Sequence, residues 1–259
     1  MARISKLSRS IKDKVALVTG AASGMGRATA HLFADEGAKV AVSDLDADAV
    51  EAVVSDIRSA GGTAVGFVLD VSRLEEIERV VSEVAAEFGG LDILVNNAGI
   101  SRPAPVEAEN FEVEWEHTIA VNLTAHARLI RASLPHLEKD GTGRVINIAS
   151  TEGVGAQPFV SAYTASKHGV VGLTRAMAVE LGKRGVTFNC VCPGPINTGM
   201  TAPIPDAAKE KFARRRVPLK RYGEPEEVAH ATLNFALPAS SFMNGAVLLV
   251  DGGLSIQNN

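Results

Sequence analysis

This chain of 259 residues has few aromatic side chains and only a small net charge. Aromatic residues make up 5% of it, and its formal net charge is −4. A chain of this charge has no positive field to attract a polyanion, and few aromatic rings are left to stack on bases. We therefore expect no nucleic-acid partner.

Cysteines are also scarce, and the sequence shows no long apolar run and no pattern of a signal peptide. The two cysteines, Cys190 and Cys192, are too few for a disulfide framework. No apolar run approaches the roughly 18 residues of a membrane span. The opening "MARISKLSRSIKDK" has no apolar core of a secretory signal. The six histidines show no metal-ligand spacing. These absences predict a cytoplasmic protein with no membrane partner and no metal.

Short apolar runs alternate with amphipathic segments along nearly the whole chain. The first six runs are apolar almost throughout, as strands buried on both faces of a sheet are. This alternation predicts an α/β fold, a doubly wound Rossmann-type parallel sheet of seven strands with helices on both faces. The predicted strands are 15–19, 39–44, 64–70, 91–97, 144–150, 186–192 and 246–250, and the predicted helices include 25–36, 47–59, 73–88, 112–138 and 160–183.

One domain accounts for this pattern, since the chain has no internal repeat and no linker. We expect residues 1–12 to form an N-terminal extension and residues 13–259 a single dinucleotide-binding and catalytic domain. The segment 199–223 breaks the alternation with three prolines and a short helical stretch, which predicts a substrate lid. Its basic run Arg214–Arg216 either contacts a negatively charged substrate group or is ordinary solvated surface charge.

The stretch "VALVTGAASGMGRAT" (15–29) predicts a strand, a glycine turn and the start of a helix. Gly20, Gly24 and Gly26 let the backbone turn sharply and approach a ligand without a Cβ in the way. The N-terminus of a helix presents free N–H groups and the positive end of its dipole, which suits a pyrophosphate. Thr29 breaks the strict G-x-G-x-x-G spacing, so a tight turn without a ligand stays an alternative.

Asp44 ends the second predicted strand and bears on the choice of cofactor. An acidic residue about 20 positions after the glycines commonly accepts hydrogen bonds from the adenosine ribose. The same carboxylate repels a 2′-phosphate, by roughly 4 kcal/mol at a separation of about 4 Å and an effective dielectric of about 20. No basic residue stands at Ser23 or directly after Asp44 to offset this repulsion. The sequence therefore favours NAD(H) over NADP(H).

Tyr163 and Lys167 in "SAYTASKHG" stand four residues apart, which places them on one face of a helix. A free tyrosine titrates near pH 10, too high for an efficient base at neutral pH. A cation about 4 Å away supplies roughly 4 kcal/mol at an effective dielectric of about 20, enough to bring the pKa of Tyr163 towards 7. The pair is therefore predicted to take or give the hydroxyl proton that accompanies hydride transfer.

Together these features resemble the short-chain dehydrogenase/reductase family. Ser150 lies thirteen residues before Tyr163, as the catalytic serine does in that family. The resemblance covers about residues 13 to 254 and implies a nicotinamide cofactor and a homotetramer. The motifs that match in order are "TGAASGMG" (19–26), "NNAG" (96–99), "VNL" (121–123), "YTASK" (163–167), "PGPINT" (193–198) and "VDGG" (250–253).

The resemblance also implies a role for each matching residue. Tyr163 is the general acid/base, and Lys167 lowers its pKa and holds the nicotinamide ribose. Ser150 hydrogen-bonds the substrate oxygen, and Asn122 anchors a relay water. The implied cofactor contacts are Gly20, Ser23, Gly24, Met25, Gly26, Asp44, Leu45, Asp70, Val71, Asn97, Ala98, Gly99, Tyr163, Lys167, Pro193, Gly194, Ile196 and Thr198.

We expect a small-molecule substrate, which the sequence identifies less closely than it does the catalytic and cofactor residues. We expect hydride transfer between NAD(H) and a secondary alcohol or ketone. Two alternatives stay open. One is an NADPH-dependent reductase of 3-oxoacyl thioesters, against which Asp44 counts. The other is a catalytically idle NAD-binding sensor, which has no need of the serine, tyrosine and lysine. The residues predicted to line the pocket are Glu152, Gln157, Phe159 and Met200, with the segment 102–106.

Overall fold

The computed structural model describes residues 4–257, and its seven strands form one parallel sheet. The strands lie in the order β3-β2-β1-β4-β5-β6-β7. In the centre, Ala16 of β1 pairs with Val40 of β2 on one side and Ile93 of β4 on the other. The strands are β1 Val15–Thr19, β2 Lys39–Asp44, β3 Thr63–Val68, β4 Ile93–Asn96, β5 Arg144–Ile148, β6 Thr187–Pro193 and β7 Val247–Val250.

Helices cover both faces of this sheet, which confirms the predicted doubly wound fold. One core cluster joins α1, α2 and α8 to the sheet through side chains such as Phe33, Val54 and Val228. Another joins α3, α5 and α6 to the opposite face. Each fully buried large apolar side chain contributes roughly 1.5–3 kcal/mol. The helices are α1 Gly24–Asp35, α2 Ala47–Ser59, α3 Leu74–Phe88, α4 Phe111–Ile119, α5 Ala125–Leu137, α6 Ser161–Leu181, α7 Asp206–Arg216 and α8 Pro225–Ala236.

The order of the strands fixes where a ligand can bind. The chain runs outward from β1 through β2 to β3, then returns to place β4 on the other side of β1. At such a switch point the loops after the two neighbouring strands diverge and leave a crevice at their carboxyl ends. The loops after β1 and β4 meet there, and they carry the glycine turn and the NNAG motif.

The single helix predicted over 112–138 is interrupted. A π-helical segment, Ala120–Thr124, separates α4 from α5. It contains Asn122, whose side chain hydrogen-bonds both backbone groups of Ile100. Short π segments often occur at functional positions, and this one brings Asn122 against the NNAG turn.

The N-terminal segment packs on the domain. Ile11, inside the predicted extension, is fully buried in the core, and the carbonyl of Ser8 accepts a 2.9 Å hydrogen bond from the N–H of Ala239. The outer limits of the predicted extension and domain, residues 1–3 and 258–259, lie outside the described residues. Between residues 4 and 257 no helix combines the length and the apolar character that crossing a membrane requires.

Candidate active site

The turn after β1 has a close-packed backbone. Gly20 has a φ of +63°, in the region that favours glycine, and a Cβ at Gly26 would overlap the carbonyl oxygen of Gly20. The Asn97 side chain closes the turn, because its Nδ2 donates to the carbonyls of Thr19 and Gly20 at 2.9 and 3.0 Å. The turn and the end of β4 therefore form one unit.

The N-terminus of α1 is free to bind an anion. The Ser23 side chain makes no capping hydrogen bond, and the first turn of the helix has no acidic residue. Unpaired N–H groups and the positive end of the helix dipole therefore remain at Gly24 and Met25. Both residues line a cavity of about 410 Å³. This arrangement fits the pyrophosphate of a dinucleotide.

Most of the predicted cofactor residues line this cavity. They are Gly20, Ser23, Gly24, Met25, Asp44, Leu45, Asp70, Val71, Asn97, Ala98, Gly99 and Thr198, and the predicted substrate residue Met200 lines it with them. Tyr163 and Lys167 are outside that lining, although a Cβ at Gly99 would lie 3.5 Å from Lys167 Nζ.

Four predicted cofactor residues lie apart from the cavity wall. Gly26 is inside the glycine turn, and Pro193 ends β6. A Cβ at Gly194 would lie 2.7 Å from the Cα of Asp251, so this glycine packs against the chain after β7. Ile196 is buried and borders a second cavity of about 510 Å³ instead.

Sequence reasoning missed part of the wall. His117 and Val121 both line the cavity, together with Leu69 and Ile100, whereas Gly199 in the wall belongs to the predicted lid. The signal was available for two of these residues. His117 and Val121 stand four residues apart, and Val121 directly precedes Asn122, so helical spacing places them on a shared face.

Asp44 is held at the cavity edge by two backbone groups. Its Oδ2 accepts from the N–H of Ala22 at 3.0 Å, and its Oδ1 accepts from the N–H of Leu45 at 2.7 Å. Among the described residues that line the cavity, Arg102 is the one lysine or arginine. It follows β4, two strands from β2 in the sheet, and lies 3.4 Å from the Glu114 carboxylate. The charge of Asp44 therefore faces this end of the cavity in a fixed position.

Ser150, Tyr163 and Lys167 come together where β5 ends and α6 begins. The Ser150 hydroxyl accepts a 3.1 Å hydrogen bond from the N–H of Glu152, and it lies close enough to the Tyr163 phenol to lower the pKa of that group. Lys167 Nζ lies 5.5 Å from the centre of the Tyr163 ring and donates to the Ile148 carbonyl at 2.9 Å. One hydroxyl, one phenol and one amine thus share a site.

Burial moves the pKa of both groups on α6. It raises the pKa of Tyr163, which the Ser150 hydroxyl lowers and the charge of Glu152 raises further. It also lowers the pKa of Lys167 to about 8. The structure therefore contradicts the predicted lowering of the Tyr163 pKa towards 7. The reason is that desolvation of the buried phenolate outweighs the contributions that lower the pKa.

The Asn122 side chain serves as a clamp between two segments. Its Nδ2 donates to the Ile100 carbonyl at 2.8 Å and to Ser166 Oγ at 3.2 Å, and its Oδ1 accepts from the N–H of Ile100 at 2.8 Å. Both amide hydrogens are thus used within the protein, so the side chain fixes the NNAG turn against α6. The relay water stays a prediction.

The four predicted substrate residues differ in exposure. Glu152 is buried, whereas Gln157, Phe159 and Met200 are exposed. Phe159 has a φ of +67°, and its carbonyl accepts from the N–H of Ala104 at 2.8 Å, which ties the loop before α6 to the loop after β4.

The predicted lid, 199–223, contains α7. Arg214–Arg216 end this helix and are exposed, and Arg214 pairs with Glu210 one turn earlier at 2.6 Å. This placement favours the interpretation of the arginines as solvated surface charge.

The chain is similar to known reductases and dehydrogenases over nearly its whole length. A family model described as Enoyl-(Acyl carrier protein) reductase matches residues 20–255. The 3-oxoacyl-[acyl-carrier-protein] reductase FabG of Thermotoga maritima is 40% identical over 246 residues, which cover 95% of this chain and 99% of that protein. The D-threitol dehydrogenase of Mycolicibacterium smegmatis is 38% identical over 247 residues, 95% of each chain.

A solved structure gives the same result for the fold. That structure is described as an NAD(P)-dependent gluconate 5-dehydrogenase of Beutenbergia cavernae with NADP bound at low occupancy. It is 39% identical to this chain, with a TM-score of 0.90 over 96% of this chain and 99% of that one. The similar proteins thus carry different substrate names on one fold.

Proposed function

Because the chain belongs to the short-chain dehydrogenase/reductase family, we propose that it transfers a hydride between NAD(H) and a secondary alcohol or ketone. The observation that carries this proposal is the convergence of Ser150, Tyr163 and Lys167 beside a cavity that begins at the free N-terminus of α1. A catalytically idle sensor has no need of that convergence.

Ser150 and Tyr163 have different roles toward the substrate. Ser150, oriented by the N–H of Glu152, donates a hydrogen bond to the substrate oxygen and stabilises the charge that develops there. Tyr163 gives its proton to a ketone oxygen in reduction and takes the hydroxyl proton in oxidation. When bound, the nicotinamide cofactor supplies or accepts the hydride. Since its pKa is raised, Tyr163 is protonated at neutral pH and ready to act as the acid.

Asp44 supports NAD(H) as the cofactor. Its carboxylate is fixed by Ala22 and Leu45 at the end of β2, where the adenosine ribose binds in doubly wound folds. The similar protein with bound NADP makes cofactor choice a necessary test. We expect kcat/KM with NAD⁺ to exceed that with NADP⁺ by at least about tenfold, or about 1.4 kcal/mol. A panel of secondary alcohols, assayed with both cofactors, measures this ratio.

A reductase of 3-oxoacyl thioesters is the second candidate, because the FabG of Thermotoga maritima is 40% identical. Acetoacetyl-CoA with NADPH and NADH separates the two proposals. Faster turnover of acetoacetyl-CoA with NADPH than of any ketone with NADH selects the second candidate.

We also propose that the enzyme assembles as a cytoplasmic homotetramer. The elements through which members of the family commonly assemble, the helices near 112–138 and 160–183 and the C-terminal strand, expose the apolar side chains of Val113, Val179 and Leu248. Light scattering on the eluting protein measures the mass. Four times the 27.1 kDa of the chain is the expected result.

A further inference from the structure

A buried carboxylate stands beside the serine and the tyrosine without a cation to balance it. Glu152 is 7% exposed, and in the described part of the chain no lysine, arginine or histidine forms an ion pair with it. Buried charges are ordinarily paired, because desolvation of an isolated carboxylate is costly.

The position of the carboxylate is well defined. Gln157 Nε2 donates to its Oε1 at 2.8 Å, and Thr164 Oγ1 donates to its Oε2 at 3.0 Å. Thr164 directly follows Tyr163, and the backbone N–H of Glu152 holds the Ser150 hydroxyl at 3.1 Å. The charge is therefore anchored to the same two segments that carry the reacting groups, and it acts on Tyr163 by raising the pKa of the phenol.

Two interpretations of this placement are possible. A structural one is that Glu152 only ties Gln157 and Thr164 together, for which hydrogen bonding alone suffices. The other is that its negative charge acts on the substrate. The lack of an ionic partner favours the second interpretation, because a purely structural tie does not require a charge. A buried negative charge that no cation balances repels any further anion brought beside it.

We propose that Glu152 determines the charge of the substrate. It excludes secondary alcohols and ketones that carry a carboxylate or phosphate next to the reacting carbon, and it admits neutral or cationic ones with hydroxyl, amide or ammonium donors there. This inference rests on the proposed function, since it assigns a substrate class to the same site.

Matched pairs of substrates test the proposal. Lactamide and lactate have nearly the same shape and differ in charge beside the carbinol carbon, as do mandelamide and mandelate. With NAD⁺, the wild type is expected to show kcat/KM for each amide at least about tenfold above that for its acid, and Glu152→Gln to reduce this ratio about tenfold.

Two control variants separate charge from structure. Glu51→Gln removes the same charge from an exposed position on α2 and is expected to leave the ratio unchanged. Thr164→Val removes one hydrogen bond of Glu152 but keeps its charge, so the ratio is expected to persist. A ratio that survives in Glu152→Gln, or that collapses equally in Thr164→Val, overturns the proposal.

A binding measurement covers the remaining outcomes. If circular dichroism shows that Glu152→Gln does not fold, calorimetric titration of mandelamide and mandelate into the NADH-bound wild type decides, and equal affinities overturn the proposal. If the wild type oxidises no neutral secondary alcohol, the proposed function fails, and the same titration still shows whether Glu152 selects by charge.

Discussion

Lys167 Nζ donates a buried hydrogen bond of 2.9 Å to the carbonyl oxygen of Ile148, the last residue of β5. This contact fixes an ammonium group, itself 3% exposed, beneath the ring of Tyr163. The strand thereby positions the charge that the helix supplies. Because burial lowers the pKa of this lysine to about 8, its charge is present at neutral pH and is lost as the pH rises through that value.

Replacement of Lys167 by methionine removes this charge at similar size. At the 5.5 Å between Nζ and the ring centre, and with an effective dielectric of about 20, the attraction for a phenolate is about 3 kcal/mol. We expect Lys167→Met to lower kcat/KM for alcohol oxidation about a hundredfold and to move its pH profile to higher pH. Lys183→Met, on the surface after α6, is the control. An unchanged profile in Lys167→Met contradicts this role.

The raised pKa of Tyr163 determines how the rates of alcohol oxidation and ketone reduction change with pH. A phenol with a raised pKa stays protonated at neutral pH, which is the form that donates to a ketone; only the small deprotonated fraction accepts a proton from an alcohol. We expect kcat/KM for alcohol oxidation to rise with pH above 7, and ketone reduction to be favoured at neutral pH. Initial rates in both directions between pH 6 and 10 measure this. Oxidation that is fastest near pH 6 is the opposite result.

Asp44→Asn tests the choice of cofactor. The substitution keeps the shape of the side chain and removes the negative charge at the end of β2. We expect the ratio of kcat/KM for NAD⁺ to that for NADP⁺ to fall about tenfold or more, since like-charge repulsion is relieved. Asp48→Asn, an exposed carboxylate in the first turn of α2, is the matched control and should leave the ratio unchanged.

Gly26→Ala tests the packing of the glycine turn. The added Cβ would overlap the Gly20 carbonyl and lie 2.5 Å from Asn97 Nδ2, so the backbone must shift. We expect weaker NAD⁺ binding by calorimetry and a lower Tm. Gly172→Ala on α6, whose added Cβ meets no atom of residues 4–257 within 4 Å, should instead stabilise the protein by about 0.5–1 kcal/mol. Equal behaviour of the two variants would refute the packing argument.

The fold was largely predictable because parallel strands buried on both faces leave unbroken apolar runs. The end of each predicted strand lies within two residues of the observed one. The π-helical segment was missed because the contact that accompanies it, between Asn122 and Ile100, joins residues 22 positions apart and leaves no local pattern in the sequence. The helix α8 was missed although its capping box, Glu224 with Glu227, is a local signal.

The sequence predicted which residues form the site, but it did not predict the direction of the pKa shift of Tyr163. The motif order identified Ser150, Tyr163 and Lys167, and the structure brings them together. The sign of the Tyr163 pKa shift depends on desolvation, which no spacing reveals. For the same reason the sequence did not indicate that Glu152 is buried with no ionic partner among residues 4–257.

The buried His126 is expected to make the free energy of unfolding depend on pH. Burial, followed by the charge of Lys167, lowers its pKa to about 3. Between that value and its ordinary 6.5, the unfolded chain binds a proton that the folded chain does not, so stability falls as the pH drops below 6.5. We expect His126→Leu to remove about 2 kcal/mol of the loss between pH 7 and pH 5 in urea unfolding. The exposed His230→Gln should leave that loss unchanged.

The most direct measurement of the central claim compares the wild type with Tyr163→Phe in NAD⁺ binding and in turnover of the best secondary alcohol. The variant keeps the ring and loses only the hydroxyl. We expect its affinity for NAD⁺ to stay within about twofold of the wild type and its kcat to fall by a factor of about 10² to 10⁴, the usual worth of a positioned acid or base. Turnover by Tyr163→Phe at the wild-type rate would contradict the assignment of this tyrosine as the proton donor and acceptor.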